Sequence, residues 1–310
     1  MIKIEKIQSL EWDYLDWSEK YKYQIENDLP TNDLRIAVFK NTLHLLDIGG
    51  FYSKKNFYFS TIVTKYYNET ENELDTLNKY DTKFVVIKSD ILDTTELLKK
   101  SGLNPVIINA ANPRKPGGEI TKGEQGNEEE MFIRTSISQS LYQFSNLRKI
   151  YGLEKHNSNY SYPLLNDNHG IYSNNIVLFR GNVDTGYKLL ESPIPLAFIS
   201  VPSVKRPRLD LVDGKYVISD PFLKKIKTRI TTSLRIAVNE KHDCLVLNGF
   251  GSSVAKIPPQ HMAEILKDLL CFGEFCCKFK SVVFTITDNP KIREEYNPSG
   301  DFMPFFDAFM

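Results

Sequence analysis

Apolar residues recur along this chain with two different periods, and the change between them divides it. From Asp33 onward Leu34, Val38, Leu45 and Leu46 return at helical spacing and stop at Gly49-Gly50, which predicts one amphipathic helix ending at its glycines. Before it, residues 1–30 place two tryptophans and several tyrosines among charges, and read as an irregular or helical extension that docks by its aromatics. After it, a stretch rich in Asn and Glu runs to Tyr80 and reads as helical or irregular. From residue 81 short apolar runs alternate with longer amphipathic ones, the pattern of βα units around a largely parallel sheet. Strands are expected at Phe84–Lys88, Val106–Asn109, Ile176–Phe179, Leu196–Val201, Leu245–Asn248 and Ser281–Thr287. Helices are expected at Thr94–Lys100, Glu128–Phe144, Phe222–Asn239 and Gln260–Leu270, with a last one near Asp301–Phe309. The expected organisation is a largely helical extension over 1–80 and an α/β domain with a mixed, largely parallel sheet over 81–310.

Composition narrows the partners. Lys+Arg and Asp+Glu balance at 39 each in 310 residues, so nothing favours duplex nucleic acid, and the one dense basic run, Lys205-Arg206-Pro207-Arg208, reads as a solvated loop. Met1 to Leu10 lacks an apolar leader core, and no run approaches the roughly 18 apolar residues of a spanning helix. A cytoplasmic monomer is expected. Cys244, Cys271, Cys276 and Cys277 have no metal-ligand or disulfide spacing and read as reduced structural thiols. His44, His156, His169, His242 and His261 are scattered and read as structural or exposed.

The chemistry concentrates between Asn109 and Glu130. A buried strand runs into Asn109 and Asn112, then Pro113, then Pro116-Gly117-Gly118, then a loop, then a helix opening with Glu128-Glu129-Glu130. In open α/β sheets ligands bind at such carboxyl ends of strands. Glycines let backbone N–H groups come close to a phosphate or sugar, and a helix N-terminus adds donors for an anion. The acids have a plainer reading, because Asn is a favoured N-cap and Glu suits the first helical turn. With Ile133, Ile137, Leu141 and Phe144 as the buried stripe of one helix, Glu130 projects nearest its centre, Glu129 at its edge and Glu128 on the far side. A partly buried carboxylate is expected here, without a choice among the three.

The same stretch resembles the signature of the microbial-type poly(ADP-ribose) glycohydrolases, a macrodomain-related family. Its motif is an asparagine-rich strand end, three glycines and, after a fixed gap, Gln-Glu-Glu. Here Gly117-Gly118-Glu119 and Asn127-Glu128-Glu129 stand at the family's gap, and the likeness continues through Ile171-Tyr172-Ser173, Val177-Leu178-Phe179-Arg180, Phe198 to Pro202, Leu245 to Gly251, Pro258-Pro259 and Val282 to Asp288. The resemblance implies a three-layer α/β/α macrodomain-like fold and hydrolysis of the glycosidic bond to the terminal ribose of poly(ADP-ribose) or ADP-ribosylated protein, with no metal cofactor. A reader domain that binds ADP-ribose without cleaving it is the alternative. By the same resemblance Glu129 is the catalytic acid and base, Glu128 orients substrate, and Asn112 contacts the terminal ribose. Gly117 and Gly118 pass beneath the ribose and diphosphate, and Asn248, Gly249, Phe250, Gly251, Ser252, Ser253 and Val254 form the second, diphosphate-binding loop. Asn109, Glu119 and Asn127 complete the expected substrate contacts. Three positions depart from the motif: Glu119 replaces the third glycine, Asn127 the glutamine, and Ala255 an aromatic that lies against the nucleotide. Glu119 either turns its charge toward an anionic ligand, or turns away from it, pointing to solvent or pairing with Lys115 or Lys122.

Overall fold

A computed structural model describes residues 12–52, 56–58, 61–68, 79–250, 255–288 and 294–310. The chain divides into two compact units, one of residues 1–62, 115–160 and 175–195 and one of residues 63–114, 161–174 and 196–310.

The first unit starts with two helices. Helix α1 (Tyr14–Glu26) begins where the Asp13 carboxylate accepts the N–H groups of Leu15 and Asp16, two of the donors a helix start leaves unpaired. Its Trp17 is buried, stacks on Tyr21, meets Tyr187 edge-on and donates its indole N–H to the Leu34 carbonyl. Helix α2 (Asn32–Asp47) buries Arg35, Val38, Phe39, Thr42, Leu45 and Leu46, a single stripe at three- and four-residue spacing. Strands β1 (Gly50–Tyr52) and β2 (Asn56–Tyr58) pair as an antiparallel ribbon.

A seven-stranded sheet follows, of β3 (Val63–Tyr67), β4 (Lys83–Ile87), β5 (Pro105–Ala111), β6 (Gly170–Arg180), β7 (Leu189–Pro202), β10 (Cys244–Leu247) and β11 (Ser281–Thr285), in the order β3-β6-β7-β5-β10-β11-β4. From β7 to β4 all neighbours are parallel, and β3 joins β6 antiparallel at the other edge. The expected mixed, largely parallel α/β sheet is present. Strand β3 is an addition, because its region was expected to be helical or irregular. Val63, Thr64, Tyr66 and Tyr67 are β-formers, but as an edge strand with an exposed face it lacks the continuous apolar run that marks its neighbours.

In the second unit the alternating side chains of the sheet fill both faces. Val106, Ile108, Leu245, Leu247, Val282 and Phe284 form one core with Ile230 and Leu234 of α6 (Asp220–Asn239), Met262 and Leu266 of α7 (Pro259–Lys267) and Phe305 of α8 (Phe302–Phe309). Ile107, Val246 and Val283 point the other way, where α3 (Ile91–Lys100) packs on β5 and β10. Strands β8 (Leu209–Val212) and β9 (Lys215–Ile218) add a hairpin around Asp213-Gly214 that the strand pattern did not reveal, being too short to show a period.

The helix expected over Glu128–Phe144 is two helices, α4 (Asn127–Arg134) and α5 (Ile137–Leu141). Thr135 turns extended and bridges Leu178, while Ser136 exchanges hydrogen bonds with Val177 through its N–H and its hydroxyl. Short hydroxylated side chains thus offer the backbone partners outside the helix. The break also corrects the wheel drawn through all four apolar positions, since Ile137 and Leu141 do not share an axis with the three glutamates. Glu128, assigned to the far side, is 8% exposed and buried, while Glu129 and Glu130 are half-buried.

Candidate active site

The glycine loop and α4 close on each other within the first unit. Gly117 and Gly118 take left-handed backbone angles, φ +80° and +56°, that disfavour any residue with a Cβ. They are also packed where no Cβ fits. At Gly117 it would fall 2.7 Å from the buried Phe132 ring, and at Gly118 2.3 Å from Glu129 Oε1. Backbone donors turn toward the acids as a result. Gly117 N–H donates to Glu128 Oε1 and Glu119 N–H to Glu129 Oε1, each at 3.0 Å.

Gly126, the residue before α4, closes the other side. Its extended φ of −179° suits any residue, yet a Cβ there would lie 2.3 Å from Glu129 Oε2. The Glu129 carboxylate therefore sits between two glycines with one oxygen fixed by an amide. Asn127, expected to contact substrate, is exposed at the first position of α4.

Glu119 is paired twice, with Lys115 at 2.7 Å and Lys122 at 3.0 Å, and these two hydrogen bonds hold its carboxyl below the usual range. Of the readings open in the sequence, pairing is the one adopted. Glu130 is engaged as well: Oε1 accepts from Arg35 Nη1 at 3.0 Å and from the Tyr187 hydroxyl at 2.7 Å.

The remaining expected residues belong to the second unit. Asn109 lies inside β5, 2% exposed, and donates across the sheet to Ser200 Oγ at 3.1 Å. Asn112 is buried past the strand end, where its Oδ1 accepts the Arg114 N–H at 2.9 Å. Asn248 does the same after β10, accepting the Phe250 N–H at 3.0 Å, with Gly249 buried between them. Because β5 and β10 are parallel neighbours, pairing Val106 with Leu245, these two asparagine turns leave the same carboxyl edge of the sheet. Gly251, Ser252, Ser253 and Val254 lie outside the described residues. Ala255, at the family's aromatic position, is buried.

Residues 51–181 match the family model of the microbial-type PARG catalytic domain. That span contains the glycine loop, Glu128 and Glu129. Among solved structures, poly(ADP-ribose) glycohydrolase (PARG) of Thermomonospora curvata matches at 22% identity and TM-score 0.69, over 89% of this chain and 99% of that one. The same enzyme bound to the inhibitor ADP-HPD matches at 22% identity and TM-score 0.66, with the same coverage. PARG of Deinococcus radiodurans in complex with ADP-ribose matches at 24% identity and TM-score 0.54, over 74% of this chain and 84% of that one. The chain thus shares the α/β fold of bacterial PARG structures. No curated protein matches it.

Three site residues escaped the sequence reading: Gly126, Arg35 and Tyr187. Arg35 carried a signal, since it falls on the stripe of Val38, Phe39, Thr42, Leu45 and Leu46, and a charge on a buried stripe needs a buried partner. Tyr187 gave none, its contact with Glu130 being set by tertiary structure.

Proposed function

We propose that this protein is an ADP-ribosyl hydrolase that cleaves the glycosidic bond to the terminal ribose of poly(ADP-ribose) or of ADP-ribosylated protein, with Glu129 as acid and base. The observation that carries the reading is the Glu129 carboxylate, half-buried, fixed by the Glu119 amide and lodged between Gly118 and Gly126. The match of this stretch to the PARG catalytic domain supports the substrate class.

Cleavage through an oxocarbenium-like state needs a proton for the leaving oxygen and then a base for water, and one carboxyl can serve in turn. Oε1 accepts an N–H bond, so in the acid form the proton belongs on Oε2, the oxygen beside Gly126. Glu128, anchored by the Gly117 amide, is assigned to orient the substrate. Asn112, Gly117 and Gly118 are assigned to the terminal ribose and diphosphate, and the loop from Asn248 through Val254 to the second diphosphate contact. The site is assigned no metal, because the groups that carry it are backbone amides and glutamates already bonded to them. Four free thiols fit action in a reducing compartment such as the cytoplasm.

Calorimetry with ADP-ribose, followed by incubation with poly- and mono-ADP-ribosylated protein, tests the proposal. Binding with release of ADP-ribose supports it. Binding without release makes the chain a reader, and no binding overturns the ligand class.

A further inference from the structure

We propose that α2 is a working part of this site, and that Arg35, with Tyr187, is a positioning residue for Glu129. The inference rests on Glu129 being the acid and base.

The hydrogen bond from the Glu119 amide to Glu129 joins two pieces of chain, and the first turn of α2 holds both. On the helix side, the Arg35 guanidinium is 1% exposed and reaches Glu130 Oε1 at 3.0 Å, where the Tyr187 hydroxyl also donates. Glu130 follows Glu129 in α4, about 100° further round the helix, so tying down one carboxylate sets the rotation at which the other leaves the backbone. On the loop side, Asn32 Nδ2 donates to the Lys122 carbonyl at 3.0 Å, and the Asn32 backbone lies on Gly123 so closely that a Cβ there would come within 2.2 Å of its carbonyl oxygen. Lys122 and Gly123 form the turn that carries the donor: Lys122 N–H bonds the Glu119 carbonyl and Gly123 N–H the Ile120 carbonyl, each at 2.9 Å. Asn32 and Arg35, one turn apart, therefore fix donor loop and acceptor helix against the same rigid element. Further along, Thr42 donates its hydroxyl to the Ile133 carbonyl at 2.6 Å, continuing the contact down α4.

Stability alone is a poor reason for this arrangement. Burying an arginine and a carboxylate costs their hydration, and an apolar pair in the same place is often as good or better. Arg35 Nη2 is moreover buried without a hydrogen-bond partner among the described residues, a deficit that native cores seldom keep. What an ion pair supplies that leucines do not is a single register between two elements, and the register fixed here is that of Glu129.

The test compares wild type with Tyr187→Phe, Arg35→Met and Asn32→Ala. It reads kcat and KM for ADP-ribose release, the Kd for ADP-ribose, and amide hydrogen exchange at residues 117–120, with the α6 amides as control. The expected result is a kcat lower by roughly tenfold or more with Kd within about threefold, since small displacements of a catalytic group weigh on the transition state. The Glu119 amide should exchange faster while α6 keeps its protection. Tyr187→Phe, which removes one hydroxyl and keeps the ring, carries the test if Arg35→Met does not fold. Unchanged kcat in folded variants overturns the inference, as does a loss of kcat that only follows faster exchange throughout α6. If wild type releases no ADP-ribose, the functional reading fails first, and an unchanged Glu119 amide in Tyr187→Phe then separately removes the bracket.

Discussion

Glu129 owes its setting to what its neighbours lack. A carboxylate with a Cβ-free residue on either side can approach the chain more closely than ordinary packing allows, and Gly126 isolates that effect because its backbone angles suit any residue. Gly126→Ala should therefore push the Glu129 side chain out of place without straining the loop. Steady-state kinetics should show kcat reduced on the order of 100-fold with ADP-ribose affinity nearly kept, whereas an unchanged kcat would mean that the carboxylate does its work elsewhere. Glu119 tests the opposite kind of claim. Its two lysine partners are surface groups, and such pairs contribute little. Glu119→Gly should leave the Kd for ADP-ribose within about threefold and the polymer-to-monomer rate ratio unaltered, and a tenfold tightening would show that the charge faces the ligand after all. From the residues alone only a partly buried carboxylate among the three glutamates was legible, and it was the family resemblance that singled out Glu128 and Glu129. It left Glu130 without a part, because the residues that give it one lie 95 positions back, at Arg35, and 57 positions on, at Tyr187.

Elements were legible where one periodic signal ran unbroken. Helix α6 and strands β5, β10 and β11 lie within a few residues of their expected bounds, since each is a continuous amphipathic or apolar run. The region from Glu128 to Phe144 was not, because Thr135 and Ser136 find partners on β6 that no local pattern announces. Two histidines read from sequence as structural or exposed join elements of the second unit. His242 sits between the Asn104 carbonyl at 3.0 Å and the Tyr172 hydroxyl at 2.9 Å, and burial lowers its pKa from 6.5. His261 accepts the Ile218 N–H at 2.8 Å, and burial lowers it likewise. Burial thus favours the neutral form of each in the folded chain over the unfolded one, so as pH falls below about 6.5 the unfolded chain binds more protons and stability falls. Thermal unfolding should show Tm dropping as pH is lowered from 7 to 5, with a shallower slope in His242→Gln. A slope identical to wild type in that variant would count against a role for His242 in the acid loss.

For the whole molecule, sequence and structure agree on a mixed, largely parallel α/β sheet, and the order of its strands emerges only in three dimensions. Apolar runs identify parallel strands as buried on both faces, but nothing in them states that β7 lies beside β5 or that β3 closes the antiparallel edge. At 22% identity to the Thermomonospora curvata enzyme, the common fold does not by itself assign the reaction. That assignment falls on one side chain. The most direct measurement is release of ADP-ribose from poly(ADP-ribose) by Glu129→Gln, set beside its ADP-ribose affinity by calorimetry. Glutamine keeps the shape and the bond to the Glu119 amide but cannot carry the proton, so hydrolysis should fall to near background while Kd stays within a few-fold of wild type. Hydrolysis at the wild-type rate in Glu129→Gln would contradict the account.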